Sequence, residues 1–187
     1  MVSIISLWLS ILVSAVFVFI ASSIIHMFLP YHRKDFIAVP DEDKVRDALQ
    51  GFKIPPGNYV MPHAKDNKEM SSPEYIEKVK KGPALFMTVM ENKIPNMGIS
   101  LLLWFIYLIV VGILAAYITG HAVNAGDPYL KVFRFAGATS FIAYTMALWQ
   151  NSIWYKRSLR NTLLSSLDGL IYSFLTAGVF GWLWPAM

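Results

Sequence analysis

Long stretches of residues without charge constrain this chain more than any other feature. The clearest covers residues 99–119, in which no side chain is charged. A helix rises about 1.5 Å per residue and the hydrocarbon core of a bilayer is about 30 Å thick, so a stretch of this length can cross it. Because hydrocarbon offers the backbone no hydrogen-bond partner, such a stretch predicts a membrane-spanning helix.

Three other stretches have the same character. The first holds His26 as its only ionisable side chain and ends at Pro30, and the last holds Asp168 as its only charge. A cleaved signal peptide is the alternative for the first, but it has no positive start, is too long and has no A-x-A cleavage site. The sequence therefore predicts an all-α integral membrane protein, a bundle of four transmembrane helices with a polar cytoplasmic insert between helices one and two. The predicted segments are helix one in 1–29, the polar segment in 30–97, and helices at 99–119, 135–154 and 162–184 within 98–187.

Charge is concentrated in the polar segment, and its pattern predicts local structure there. Residues 41–50 favour a short helix, and Ser72 is a predicted N-cap of a second helix that Gly82 closes. Residues 83–90 are apolar enough for a strand or an interfacial segment, and as a strand they would pair with 59–61. The segment is thus predicted to carry short helices, with a hairpin if residues 83–90 form a strand.

Orientation follows from the basic residues. Three of them, Lys156, Arg157 and Arg160, lie in the short predicted loop 155–161. The positive-inside rule places such loops in the cytoplasm, which puts 30–97 in the cytoplasm and both termini outside a cell inner (plasma) membrane. The net charge of +4 is explained by basic residues that meet lipid headgroups, so nucleic acid is not an expected partner.

Small residues recur along the predicted helices. In the last span they occupy every fourth position, at Ser165, Gly169, Ser173, Ala177 and Gly181. Helices in lipid associate through close backbone approach, so this row is predicted to be a helix–helix contact face.

Asp168 is the residue that most needs an explanation, since a carboxylate deep in a span costs about 2.5–3.5 kcal/mol on insertion scales. Counting depth along the other spans predicts a buried polar cluster around it, with His26 or a tyrosine as its partner. That cluster is either a structural pin that fixes helix register or a proton or ion relay. The predicted members are Asp168, His26, Ser22, Tyr107, Tyr144, Gln150 and Tyr172.

A second group, Trp149, Asn151 and Trp154, is predicted either to contact a ligand ring or to belong to an interfacial aromatic belt. No cofactor is predicted, although a lipid, quinone or pigment ring would suit this group. No catalytic motif occurs, the chain has no cysteine, and its histidines lack metal-ligand spacing, so no catalytic or metal-binding residue is predicted. His32 and His63 are expected to be solvated or to cap local structure.

The sequences ALWQNSIWYKRS and DGLIYSFLTAGVFGWLWP, within residues 133–185, resemble a group of small uncharacterised bacterial inner-membrane proteins. The resemblance implies one helix, a polar segment and three more helices, with no assigned activity. The expected function is non-enzymatic: an accessory or assembly subunit of a larger membrane complex, respiratory or photosynthetic, in contact with lipids and with other subunits or its own copies. The alternatives are a small oligomeric transporter or channel that uses Asp168, and a protein that binds a lipid, quinone or pigment.

Overall fold

The computed structural model describes residues 1–186, and helices make up 68% of the structure. The chain forms two compact units: a helical unit of residues 1–36 and 96 onward, and a polar unit, Ile37–Pro95. Among the described residues, three helices are long and apolar enough to cross a membrane: Ile5–Phe28, Met97–Ala122 and Leu159–Trp182. In chain order the elements are α1 (Trp8–Phe28), α2 (Glu42–Gly51), β1 (Gly57–Met61), α3 (Asn67–Met70), α4 (Pro73–Lys81), β2 (Leu85–Val89), α5 (Met97–Ala122), α6 (Tyr129–Thr145), α7 (Leu148–Tyr155) and α8 (Leu159–Trp182).

The helix predicted at 135–154 is divided in the structure. Helix α6 starts earlier, directly after Pro128, and ends at Thr145, while α7 starts at Leu148. The early start includes Lys131. Its charge is paired with Asp127 at 2.7 Å, so the lysine can lie near the end of an apolar helix. At the junction, the Trp149 amide donates to the carbonyl of Met146 at 3.4 Å, a tighter turn than the α-helical bond.

Helices α6 and α8 form the most extensive contact of the helical unit. Small residues along α8 allow it: the ideal Cβ position at Gly181 lies 2.5 Å from the Tyr129 ring, and that at Gly169 lies 2.5 Å from Thr145 Oγ1. Beyond α6, the Ser152 hydroxyl on α7 hydrogen-bonds Thr162 at 2.6 Å. Thus α6 and α7 together follow α8 antiparallel along nearly its whole length.

Helix α1 packs against both α5 and α8. At Gly112 of α5 the ideal Cβ position is 3.0 Å from Ile11, and at Gly120 it is 2.5 Å from the Val2 carbonyl oxygen. Near the latter, the Met1 amine donates to Asn124 Oδ1 at 3.3 Å and the Trp184 indole donates to the Asn124 carbonyl at 2.8 Å. The first residue and the end of α8 therefore meet at the same end of the bundle.

The polar unit contains a two-stranded antiparallel sheet, in which Tyr59 pairs with Met87 and Met61 with Leu85. The strand pairing predicted from the sequence is present, with α3 and α4 inserted between the two strands. The Ser72 side chain caps α4 by accepting from the Tyr75 amide at 3.2 Å, as its sequence predicts, and Gly82 follows the helix with φ +62°.

Candidate functional site

Asp168 lies in the middle of α8 and is 3% exposed. Its two carboxylate oxygens have separate partners: the Tyr31 hydroxyl donates to Oδ1 at 2.5 Å, and His32 Nε2 lies 2.7 Å from Oδ2. Burial, followed by the hydrogen bond and charge of Asp168, raises the pKa of Tyr31 above its usual range, so the phenol keeps the proton it donates. The buried carboxylate is thus paired, as its desolvation requires.

Both partners come from a segment that was predicted to lie in the polar insert. Pro30 begins a short 3-10 helix, Pro30–Lys34, which belongs to the helical unit because it folds onto the start of α8. Arg160 donates to the Tyr31 carbonyl at 2.9 Å, and the buried Asn161 amide donates to the Asp35 carbonyl at 2.9 Å. The first residues of α8 therefore fix the turn that delivers Tyr31 and His32 to Asp168.

His32 is held between two carboxylates. Its Nδ1 lies 2.6 Å from Asp35 Oδ2 and its Nε2 faces Asp168, with the His32 side chain only 10% exposed. Burial alone would lower the pKa of His32, but the hydrogen bonds and charges of Asp35 and Asp168 outweigh it and raise that pKa. Ionised carboxylates only accept hydrogen bonds, so with both of them ionised both ring nitrogens would donate and the ring would be an imidazolium. The Arg160 guanidinium also lies 3.5 Å from Asp35.

His26 completes the group from the last turn of α1. Its ring lies against that of His32, with centroids 4.6 Å apart and planes inclined at 31°. Its Nε2 is 3.5 Å from the Tyr172 hydroxyl, at the limit of a hydrogen bond. One ligand atom from each of His26, His32 and Asp168 lies within 4.8 Å of the others. Counting depth along the spans predicted His26 near Asp168, but it did not predict His32, which comes from a third element.

A cavity of about 210 Å³ lies beside Asp168, toward the middle of the bundle. Its polar lining includes His26, Asp168 and Ser165, and its remaining wall is mostly aromatic. Tyr107, on this wall, is 39% exposed, so the cavity is not sealed from the surface of the helical unit. The aromatic and apolar lining residues are Trp104, Tyr107, Tyr144, Leu148, Gly169 and Tyr172.

The structure brings most of the predicted cluster to this cavity. Tyr144 and Tyr172 are buried with ring centroids 5.6 Å apart, and Tyr107 donates to the Ala143 carbonyl at 3.0 Å. Ser22 is buried behind the cavity wall, where its hydroxyl accepts from the indole of the wall residue Trp104 at 2.9 Å.

Gln150 and the predicted ligand-contact group are placed differently. Gln150 is exposed on α7 and does not line the cavity; Trp154 is 71% exposed, while Trp149 and Asn151 are half-buried outside the cavity lining. The Asn151 carbonyl instead accepts from the Arg157 amide at 3.1 Å and helps to close α7. The division between α6 and α7 changes the direction that these side chains face, so counting depth along one continuous helix misplaces them.

Sequence reasoning missed Tyr31, His32, Asp35 and Trp104. His32 was expected to be solvated, and its burial depends on α8, which lies far away in the chain. One local signal was present: in PYHRKD, proline directly follows an apolar span, and a histidine and an aspartate are spaced three apart, as on one face of a helical turn. Comparison of the chain with models of protein families, with curated proteins and with solved structures finds no match in any of the three.

Proposed function

We propose that this protein is a non-enzymatic membrane subunit with four spans, which holds a small planar ring, of the quinone headgroup class, inside a larger respiratory or photosynthetic complex. The observation that carries the proposal is the aromatic cavity beside Asp168. Its volume of about 210 Å³ is below the usual range for drug-sized ligands, about 300–1,000 Å³, and suits a single substituted ring.

The lining supplies what such a ring needs. Aromatic side chains such as Trp104 and Tyr172 offer faces and edges for offset stacking. The carbonyl oxygens of a quinone accept hydrogen bonds, and the Tyr172 hydroxyl and a His26 N–H are donors on this wall. The partly exposed Tyr107 lies where an isoprenoid tail would leave the cavity toward lipid.

The proposal of four spans rests on the antiparallel course of α6 and α7 along α8. From Thr162 to Gly181, α8 rises about 28 Å, close to the thickness of a bilayer core. Because Tyr129 lies beside Gly181 and Ser152 beside Thr162, α6 and α7 cover the same distance in the opposite direction. We place the loop after α7 and the polar unit in the cytoplasm and both termini outside the inner membrane, following the basic loop residues.

The sequence supports a subunit role. Electron transfer to a quinone requires a redox centre, and the chain carries neither cysteine ligands for iron–sulfur clusters nor a flavin or dinucleotide motif. Within the proposed complex, a bound quinone would exchange electrons with a redox centre of another subunit, or serve as a structural lipid.

The test is to purify the full chain from its native membrane in a mild detergent and to analyse both the organic extract and the co-purifying proteins. We expect a quinone or related ring lipid in near-stoichiometric amount, together with defined partner subunits. In Leu148→Trp, an indole placed at the cavity wall should displace the ring. The matched control is Leu163→Trp, at a position on α8 that is 51% exposed, which should retain it.

Binding can also be followed directly. A short-chain decyl-benzoquinone should quench tryptophan fluorescence in the wild type and in Leu163→Trp, and much less in Leu148→Trp and in Trp104→Phe. An extract without ring lipids, together with equal quenching in all four proteins, would overturn the ligand proposal. Ion or solute flux through proteoliposomes of the purified chain, abolished by Asp168→Asn, would favour a small transporter instead.

A further inference from the structure

We propose that His26, His32 and Asp168 bind a divalent first-row transition-metal ion at the cytoplasmic end of the bundle. Each offers one ligand atom, and the three atoms lie within 4.8 Å of one another. Metal–ligand bonds of about 2.0–2.2 Å place tetrahedral ligand atoms about 3.4 Å apart. Binding then requires His32 and Asp168, now 2.7 Å apart, to separate slightly and His26 to move toward them.

The ligands are held as metal ligands usually are, by hydrogen bonds to their far atoms. Nδ1 of His32 bonds the Asp35 carboxylate at 2.6 Å, which turns Nε2 toward Asp168. Metal-binding histidines commonly show this carboxylate–histidine arrangement. Likewise, Tyr31 holds one carboxylate oxygen of Asp168 at 2.5 Å, and the other oxygen faces His32. Two of the three ligands are therefore oriented before any ion arrives.

Burial of the ligand atoms favours ion binding. The side chains of His32 and Asp168 are 10% and 4% exposed, so bulk water competes little for their ligand atoms. By contrast His26 is exposed, which leaves an entry path from the surface. His32 Nε2 and Asp168 Oδ2 are joined by a hydrogen bond of 2.7 Å, which a bound ion would replace.

The donor set determines which ions suit the site. Two imidazoles and one carboxylate favour Zn²⁺, Fe²⁺, Mn²⁺ or Co²⁺ over Ca²⁺ and Mg²⁺, which prefer oxygen ligands alone. Since three protein ligands leave at least one coordination position, a further ligand can bind there, and His26 and Asp168 both border the cavity. The metal site goes beyond the ring-binding proposal and does not depend on it.

The experiment uses the full chain in detergent, stripped with a chelator, dialysed and titrated with Co²⁺. We expect one tightly bound equivalent by elemental analysis and a visible d–d absorption band. In His26→Ala and His32→Ala the apparent affinity should fall by about 100-fold or more, and in Asp35→Asn, which removes the charge of the outer carboxylate that holds His32, by about 10-fold to 100-fold. His121→Ala is the matched control. His121 lies in the last turn of α5 and is not one of the three proposed ligands, so this variant should bind as the wild type does.

His26→Ala keeps the result interpretable because His26 makes neither of the two hydrogen bonds to Asp168, so this variant should fold. Circular dichroism confirms folding in the same samples, and decyl-benzoquinone binding in His32→Ala, whose ring does not line the cavity, separates failure at the metal site from failure at the cavity. The proposal is overturned if the wild type binds no stoichiometric Co²⁺, or if His26→Ala and His32→Ala bind as tightly as His121→Ala.

Discussion

Asp168 shows how one residue sets the requirements for its surroundings. A buried carboxylate demands partners, and the sequence was enough to predict that a polar cluster surrounds it. Its partners could not be predicted by counting depth, because Tyr31 and His32 follow the end of α1 and were counted as outside the membrane. Only the fold of Pro30–Lys34 onto α8 brings them to the carboxylate.

At this residue we predict a large loss of stability in Asp168→Leu. The substitution leaves the Tyr31 hydroxyl and the His32 ring without the buried carboxylate that they bond, which typically costs about 3–5 kcal/mol. Thermal unfolding in detergent, followed by tryptophan fluorescence, should show a clearly lower Tm. The control is Asp43→Leu, at a side chain that is 93% exposed, where a change within about 0.5 kcal/mol is expected. Equal Tm values for both variants would show that the cluster does not stabilise the fold.

At the scale of elements, close helix contact is what the small residues provide. The row of small residues predicted in the last span contains Gly169, Ser173 and Ala177, all buried against neighbouring helices. Periodicity revealed this face, since it depends only on spacing within one helix. The division of the predicted helix 135–154 into α6 and α7 had no such local signal: no proline or glycine lies near Met146.

We predict that Gly169→Ala destabilises the contact between α6 and α8. The added methyl group would lie 2.5 Å from Thr145 Oγ1 and 3.3 Å from Tyr144 Cβ, so the Thr145 side chain must rotate or the two helices must separate. Overpacking of this kind costs about 1–3 kcal/mol. Gly178→Ala is the matched control on the same helix, since its nearest neighbour, the Tyr129 hydroxyl, is 3.7 Å away. In unfolding experiments in mixed detergent, Gly169→Ala should be less stable than Gly178→Ala. The reverse order would contradict the packing described.

In the polar unit we predict that Ser72→Ala loosens α4. The Ser72 hydroxyl accepts from the Tyr75 amide, and loss of such a cap costs about 1 kcal/mol. This corresponds to roughly five-fold faster amide exchange through local opening of the helix. Hydrogen–deuterium exchange of the intact protein should show this in the peptide covering residues 73–81. Ser71→Ala removes a neighbouring exposed hydroxyl that bonds Asn67, and it should leave this peptide unchanged. Equal exchange in both variants would argue against the cap.

At the scale of the whole molecule, hydrophobicity predicted the membrane class. Hydrocarbon excludes charged side chains, so the long uncharged stretches can be recognised without knowing the fold. The unit boundary at Phe36 was not predictable in the same way. Residues 30–36 are polar and were assigned to the insert, but their contacts with Arg160 and Asn161 place them with the helices.

We predict that single cysteines report four crossings. The chain has no cysteine of its own, so Ser3→Cys and Ser158→Cys can each be labelled uniquely. In intact cells a membrane-impermeant maleimide should modify Ser3→Cys, while Ser158→Cys should react only after permeabilisation. If α6 and α7 did not cross the bilayer, both positions would lie on the same side and would react alike.

The bond between His32 and Asp168 also imposes an order on biogenesis. The two residues are 136 positions apart, so His32 emerges from the ribosome long before Asp168 is synthesised. Until α8 inserts, the histidine stays hydrated, and the first span has no partner for this end. A chain that stops before α8 therefore lacks the carboxylate that Tyr31 and His32 bond in the folded protein.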